Sequence, residues 1–99
     1  MSLLTKSELA KMPLIYTQED VELDDKIVYF KFFTPWTSWT WYAMESDGSH
    51  YCFGFVEGQE DELGYFSLRE LAKVKGPAGL RIEKDRYFEP TKFKDLKRS

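Results

Sequence analysis

The sequence predicts an α+β domain built on an antiparallel sheet of four to five strands with two short helices. Three observations carry that prediction. Segments 26–34, 39–45 and 50–56 are dense in β-branched and aromatic residues, and the turns between them are too short for a crossover, so consecutive strands pair antiparallel as a meander. Thr5-Lys6-Ser7-Glu8 and Ser67-Leu68-Arg69-Glu70 both carry the capping-box pattern that starts a helix. Finally, 99 residues suffice for one hydrophobic core, and an aromatic content of 17% fills it without a disulfide staple.

Taken in order, the first capping box has Leu4 and Leu9 at its staple positions and predicts a helix over 6–12, stopped by Pro13, which disfavours helical geometry in Met12. Residues 13–25 show no period and hold Glu19, Asp20, Glu22, Asp24 and Asp25, which reads as an extended acidic connector. In segment 26–34 apolar residues occupy both faces, as expected of a central strand covered on both sides. Segment 39–45 alternates Trp39, Trp41 and Ala43 against Thr40, Tyr42 and Met44. Ser46-Asp47-Gly48-Ser49 then supplies turn chemistry for the hairpin into 50–56. Residues 57–62 read as a polar loop and 63–66 as a short fourth strand. The second box opens a helix over 68–75, with Gly76-Pro77 as its stop signal, and 80–84 offers a fifth strand. This gives a domain over 1–90 and a weakly structured basic tail over 91–99.

Composition narrows the function classes. Cys52 is the only cysteine and no secretory leader precedes the first helix, which together fit a reducing, cytoplasmic setting. No apolar run is long enough to cross a bilayer, so no membrane role is expected. Residues 1–80 hold seven Lys/Arg against thirteen Asp/Glu, whereas residues 81–99 hold seven against four. An acidic body of this kind lacks the broad basic surface that duplex binding needs, although a local patch on the tail remains able to contact phosphates.

Residues able to carry chemistry are few. His50 and Cys52 stand two apart on a strand and therefore share a face, the minimum for an imidazole-activated thiol, but no orienting third group accompanies them. Two such ligands are too few for a structural zinc site. Glu57, Glu60, Asp61 and Glu62 form an acidic loop without the spaced ligands of an EF-hand, and a solvated turn is the plainer account. Glu62 with Glu45 supplies the pair of acids a hydrolase would need, with nothing in the sequence to set their separation. No glycine-rich string runs from a strand into a helix, so no cofactor is expected, and Ser67 reads as a helix cap rather than a nucleophile.

The densest feature is Pro35-Trp36-Thr37-Ser38-Trp39-Thr40-Trp41-Tyr42. Three tryptophans in six residues are hard to bury together, and exposed rings beside Thr and Ser suit stacking on single-stranded bases or docking of a protein. Trp36 is the expected exposed anchor, with Trp39, Trp41 and Tyr42 as neighbours and Arg86, Lys92 and Lys94 as auxiliary charge. The plainer alternative assigns Trp39 and Trp41 to the core edge.

The strings Phe32-Phe33-Thr34-Pro35, Trp39-Thr40-Trp41-Tyr42-Ala43 and Glu62-Leu63-Gly64-Tyr65-Phe66-Ser67-Leu68, followed by Glu70-Leu71, resemble a small bacterial family of unknown function. The resemblance covers Leu3 to about Pro90 and implies an accessory protein encoded on plasmids, phages and integrative elements, without implying an activity or a catalytic residue. The sequence therefore favours a non-enzymatic interaction module, with a protein or single-stranded nucleic acid as partner and a homodimer compatible with it. The alternative is a small metal-assisted or thiol hydrolase using Glu45, His50, Cys52 and Glu62.

Overall fold

The computed structural model describes residues 3–97. Its elements run α1 (Lys6–Leu9), β1 (Ile27–Val28), β2 (Phe30–Phe33), β3 (Thr40–Ser46), β4 (Tyr51–Glu57), β5 (Asp61–Ser67), α2 (Leu68–Lys73), β6 (Glu83–Lys84) and β7 (Thr91–Lys92). Five strands form one antiparallel sheet in the order β5-β4-β3-β2-β6, and β1 pairs with β7 apart from it. The fold is α+β with an antiparallel meander at its centre, as the turn lengths require.

Both helices begin where the caps place them. Thr5 Oγ1 accepts from the Glu8 N–H at 3.1 Å while Glu8 Oε1 accepts from the Thr5 N–H at 2.9 Å, completing the box. Glu8 also holds Lys84 in an ion pair. At α2, Ser67 Oγ accepts from the Glu70 N–H at 3.3 Å. Both helices are shorter than expected. After Leu9 the chain tightens into single turns, with Met12 N–H bonded to Leu9 O, and after Lys73 the backbone of Val74 is extended. The Arg81 guanidinium caps the released Ala72 carbonyl at 3.0 Å.

The strands differ from expectation in three instructive ways. Segment 26–34 is two strands rather than one, and β2 alone joins the main sheet. The break faces an irregularity in β3: Ala43 pairs with Gly54 but Glu45 with Phe53, so Met44 is an extra, bulged residue. Past that point the chain of β1 leaves β3 and pairs with Thr91–Lys92. The fourth strand is longer than 63–66, because Asp61 and Glu62 pair with Glu57 and Val56, which reduces the acidic loop to a tight turn. The fifth is shorter than 80–84, since only Glu83 and Lys84 pair with Phe33 and Phe32.

The sheet has two covered faces. On one, α1 and α2 bring Leu4, Leu9, Leu68 and Leu71 onto Phe32, Trp41, Ala43, Cys52 and Phe66. On the other, Val28, Tyr42, Met44 and Phe55 pack with Phe93. The segment expected to trail as a tail is thus part of the fold through residue 95. The Phe93 N–H bonds to Lys26 O at 2.8 Å, and its ring meets Phe55 edge-on at 4.7 Å between centroids. Lys92 and Lys94, expected as auxiliary charge for a partner, form ion pairs with Asp25 at 3.9 and 3.6 Å. Phe93→Ala is expected to cost about 3–5 kcal/mol in a urea melt, the usual loss for a buried aromatic, while Lys94→Ala shifts stability by less than about 0.5 kcal/mol.

Candidate functional site

The C-terminal segment covers only part of its face. Toward the β4–β5 end the sheet stays open, and a cleft of about 440 Å³ lies there, walled by Tyr16, Val21, Phe53, Leu63 and Tyr65. Tyr16 and Val21 belong to residues 14–25, which form the wall opposite the strands and bring Glu19, Asp20 and Glu22 to it, with Glu45 and Lys26 deeper. The floor follows from strand geometry. Phe53 and Tyr65 are directly opposed across β4 and β5, which puts both side chains on one face, and their rings meet at 5.1 Å.

Glu45 reaches this cleft because of the bulge. Simple alternation would send it to the helical face with Trp41 and Ala43; the extra residue Met44 turns it to the side of its new partner Phe53. It is buried, at 3% exposure, and its carboxylate is spent on backbone: Oε1 accepts from the Tyr16 N–H at 3.0 Å and Oε2 from the Gln18 N–H. To present that N–H, Tyr16 takes φ 79°, a left-handed conformation uncommon for a residue with a large side chain. Gln18 continues the clamp, its amide donating to Ile27 O and Met44 O and accepting from the Ile27 N–H at 2.7 Å. The buried Lys26 ammonium donates to Gln18 O. The expected acidic connector is therefore a folded flap fastened over a carboxylate.

This fastening sets the rings at the mouth. The Tyr16 side chain, by hydrogen bonding ahead of any other cause, pushes the Tyr65 phenol above the ordinary tyrosine value; burial and the nearby carboxylates Glu45 and Glu19 add to it. Tyr65 stays a neutral hydrogen-bonding phenol at physiological pH.

The other candidate catalytic residues do not converge on Glu45. Glu62 is exposed on β5, on the face opposite Tyr65. Cys52 is fully buried among the residues of the helical core, and burial pushes its thiol up to about 12, far from the thiolate that nucleophilic attack requires. His50 sits in the preceding turn, its Nδ1 3.1 Å from Ser49 Oγ and its ring against Tyr51. That turn is organised by Asp47, whose Oδ1 accepts from the N–H groups of Ser49, His50 and Tyr51. Burial raises the Asp47 carboxyl, but these donors outweigh it and hold it below the usual carboxylate range. Among the described residues no three His, Cys, Asp or Glu side chains are grouped to hold a metal ion.

The aromatic hairpin is mostly interior. Trp41 and Tyr42 are buried, and Trp36, expected to stand outside, is half-buried against the helical core. Its indole lies flat on Gly76, so close that a side-chain carbon there would fall 2.6 Å from the ring. Trp39, at 38% exposure, is the open one; it stacks on Trp41 at 5.8 Å and covers Gly58 in the same way.

Residues 3–94 match the family model described as "Protein of unknown function (DUF2958)". The chain belongs to the DUF2958 family. No curated protein and no solved structure matches it. Membership in DUF2958 agrees with the resemblance carried by the hairpin and β5 strings, and it brings no assigned activity.

Tyr16, Phe53, Leu63 and Tyr65 were not singled out by sequence. A signal existed for two of them: Asp61-Glu62-Leu63-Gly64-Tyr65 places Leu63 and Tyr65 on one side of a strand that no later strand covers. Tyr16 carried none, since its place depends on a hydrogen bond to a residue 29 positions away.

Two outcomes test this description. Glu45→Gln replaces one acceptor oxygen with an N–H donor facing a backbone N–H, and is expected to lower stability by about 1–3 kcal/mol in denaturant melts. The Cys52 thiol should resist Ellman's reagent in the native protein at neutral pH and react fully once urea unfolds the chain; rapid native labelling would contradict its burial.

Proposed function

We propose that this protein is a non-enzymatic interaction module whose contact surface is the aromatic cleft between residues 14–25 and β4–β5, and whose partner is a protein segment bearing arginine or lysine. The observation that carries the reading is the combination of Tyr16, Phe53 and Tyr65 rings with Glu19, Asp20 and Glu22 around one opening. Aromatic faces attract cations by about 0.5–2 kcal/mol each, and a carboxylate accepts bidentate hydrogen bonds from a guanidinium. The same carboxylates repel phosphate, which favours protein over nucleic acid at this surface. Burial of Cys52 and dispersal of Glu45, His50 and Glu62 weigh against the hydrolase alternative. The family resemblance supplies the setting, an accessory factor of a mobile genetic element acting in the bacterial cytoplasm.

A second reading has an observation of its own. Trp39 and the exposed Tyr87 line a groove of about 600 Å³ with Lys31 and Arg86, the residue types that stack and neutralise single-stranded nucleic acid. Glu83 and Asp85 line the same groove and offset much of that charge. Labelled oligothymidylate titrated by fluorescence anisotropy separates the two, since Trp39→Ala should abolish any such binding and leave peptide binding intact.

For the preferred reading, calorimetric titration with an arginine-rich peptide is expected to give binding that weakens with salt. Tyr65→Ala and the Glu19→Gln/Glu22→Gln pair should each weaken it about tenfold, the effect of losing roughly 1.4 kcal/mol, with melts close to wild type. Equal binding of a glutamate-rich peptide would refute the reading.

A further inference from the structure

We infer that β5 is the receiving edge of this module: an extended, basic segment of a partner protein adds to it as a sixth strand, laying alternate side chains over the cleft. The inference rests on the cleft reading and specifies how the partner is held.

β5 is a terminal strand of the five-stranded sheet, seven residues long, paired along its whole length with β4 and without a bulge. Hydrogen bonds in an antiparallel pair alternate, so every second residue turns its N–H and C=O away from its neighbour. The phase is set by the Leu68 N–H, which bonds to His50 O at 2.7 Å. Counting back in register, Phe66, Gly64 and Glu62 exchange hydrogen bonds with β4, while Tyr65, Leu63 and Asp61 direct theirs outward. Among the described residues, no main-chain hydrogen bond meets those outward groups.

Proteins usually protect such an edge with lysine, proline, a bulge or brevity. The opposite edge, β6, is protected by brevity, with two residues. β5, Asp-Glu-Leu-Gly-Tyr-Phe-Ser, has no lysine, proline or bulge and is not short; its charges are acidic and confined to its first two residues. Its outward-bonding residues are also those whose side chains face the cleft, Leu63 at 38% and Tyr65 at 54% exposure. A strand added about 4.8 Å beyond β5 would place every second side chain on that same face, beside the Tyr65 ring. Main-chain bonds would supply affinity and the cleft would select side chains, the division of labour in strand-addition recognition.

Charge identifies the occupant. Glu60 precedes the strand, Asp61 and Glu62 open it, and no basic residue follows before Arg69, while Glu19, Asp20 and Glu22 stand across the cleft. A second copy of this chain would bring the same acidic edge to the contact, whereas a segment alternating arginine or lysine with β-branched residues complements it.

The test uses isotope-labelled full-length protein and a capped peptide as long as β5, alternating arginine with valine, beside its glutamate counterpart. Amide exchange of Leu63 and Tyr65 is expected to slow about tenfold or more at saturation with the arginine peptide, while Gly64 and Phe66 change little. Leu63→Pro removes an outward N–H without touching the β4 ladder, and should weaken binding about tenfold. Methylating the peptide nitrogens that face β5 should do the same with the protein unaltered, a control that survives if the proline variant misfolds. Shifts of the Phe53 and Tyr65 rings without slowed exchange, and insensitivity to N-methylation, would overturn strand addition and leave the cleft reading standing. Absence of any perturbation by the arginine peptide would overturn both. Protection of Leu63 and Tyr65 that rises with protein concentration in the absence of peptide would assign the edge to a second copy and overturn the basic-segment occupant.

Discussion

The arrangement of the cleft depends on one buried carboxylate. Glu45 has no counter-ion within salt-bridge distance among the described residues; its two oxygens are instead occupied by the main-chain N–H groups of Tyr16 and Gln18. Hydrogen bonds to a charged acceptor contribute about 1.5–3 kcal/mol each, enough to hold a loop with no regular structure against a sheet. Gln18 passes the constraint to Ile27 and Met44, and Lys26 closes it by bonding back to Gln18 O. A single bulged residue, Met44, makes this possible by turning Glu45 away from the helical side. Without the bulge the acid would be driven among Leu and Phe side chains with no donors, which the desolvation cost of a carboxylate forbids.

The same bulge explains why the two faces of the sheet are covered unequally. Where β3 changes register, β2 ends its pairing and β1 departs to meet Thr91–Lys92. The C-terminal residues therefore cover the β1–β3 side and, through Phe93, reach Phe55 of β4, but they do not line the cleft at Phe53, Leu63 and Tyr65. On the helical face Leu68 and Leu71 of α2 follow directly from β5 and fold back over Cys52 and Phe66, so the strands themselves are covered there. An open aromatic strip on one face and a full core on the other both follow from that local geometry. The tryptophans fall on the filled side or at its rim, where Gly58 and Gly76 let the rings of Trp39 and Trp36 lie against backbone.

Sequence patterns revealed the parts of this protein governed by local rules. The first capping box, the cap at Ser67, the meander and its turns are each specified by residues within a few positions of one another, and the structure contains them. The pattern could not foresee Met44 as a bulge, because Trp41-Tyr42-Ala43-Met44-Glu45 alternates as well in a regular strand as in an irregular one. Nothing local aims Glu45 at residues 14–18 without that bulge, so a run that shows no period of its own reads as a connector. The place of the C-terminal segment is illegible in the sequence for a similar reason. Phe93 lies in a charged stretch, and long-range packing with Val28, Tyr42, Met44 and Phe55 gives it a buried place. Counting tryptophans, too, could not show that two glycines distant in sequence would receive their rings.

Charge placement links this architecture to the proposed partner. The C-terminal segment is basic and the flap acidic, and a chain with both could neutralise itself internally. Among the described residues the two segments form ion pairs with each other only where Lys92 and Lys94 converge on Asp25, at the end of the flap nearest the β1–β7 pair. Glu19, Asp20 and Glu22, nearer the cleft, have no ion pair among the described residues, and the ammonium beside them, Lys26, is committed to Gln18 O. Among the described residues the flap thus keeps carboxylates without ion pairs beside aromatic rings and an unpaired strand edge, and the partner proposed above, a cation presented on an extended backbone, would satisfy all three at once.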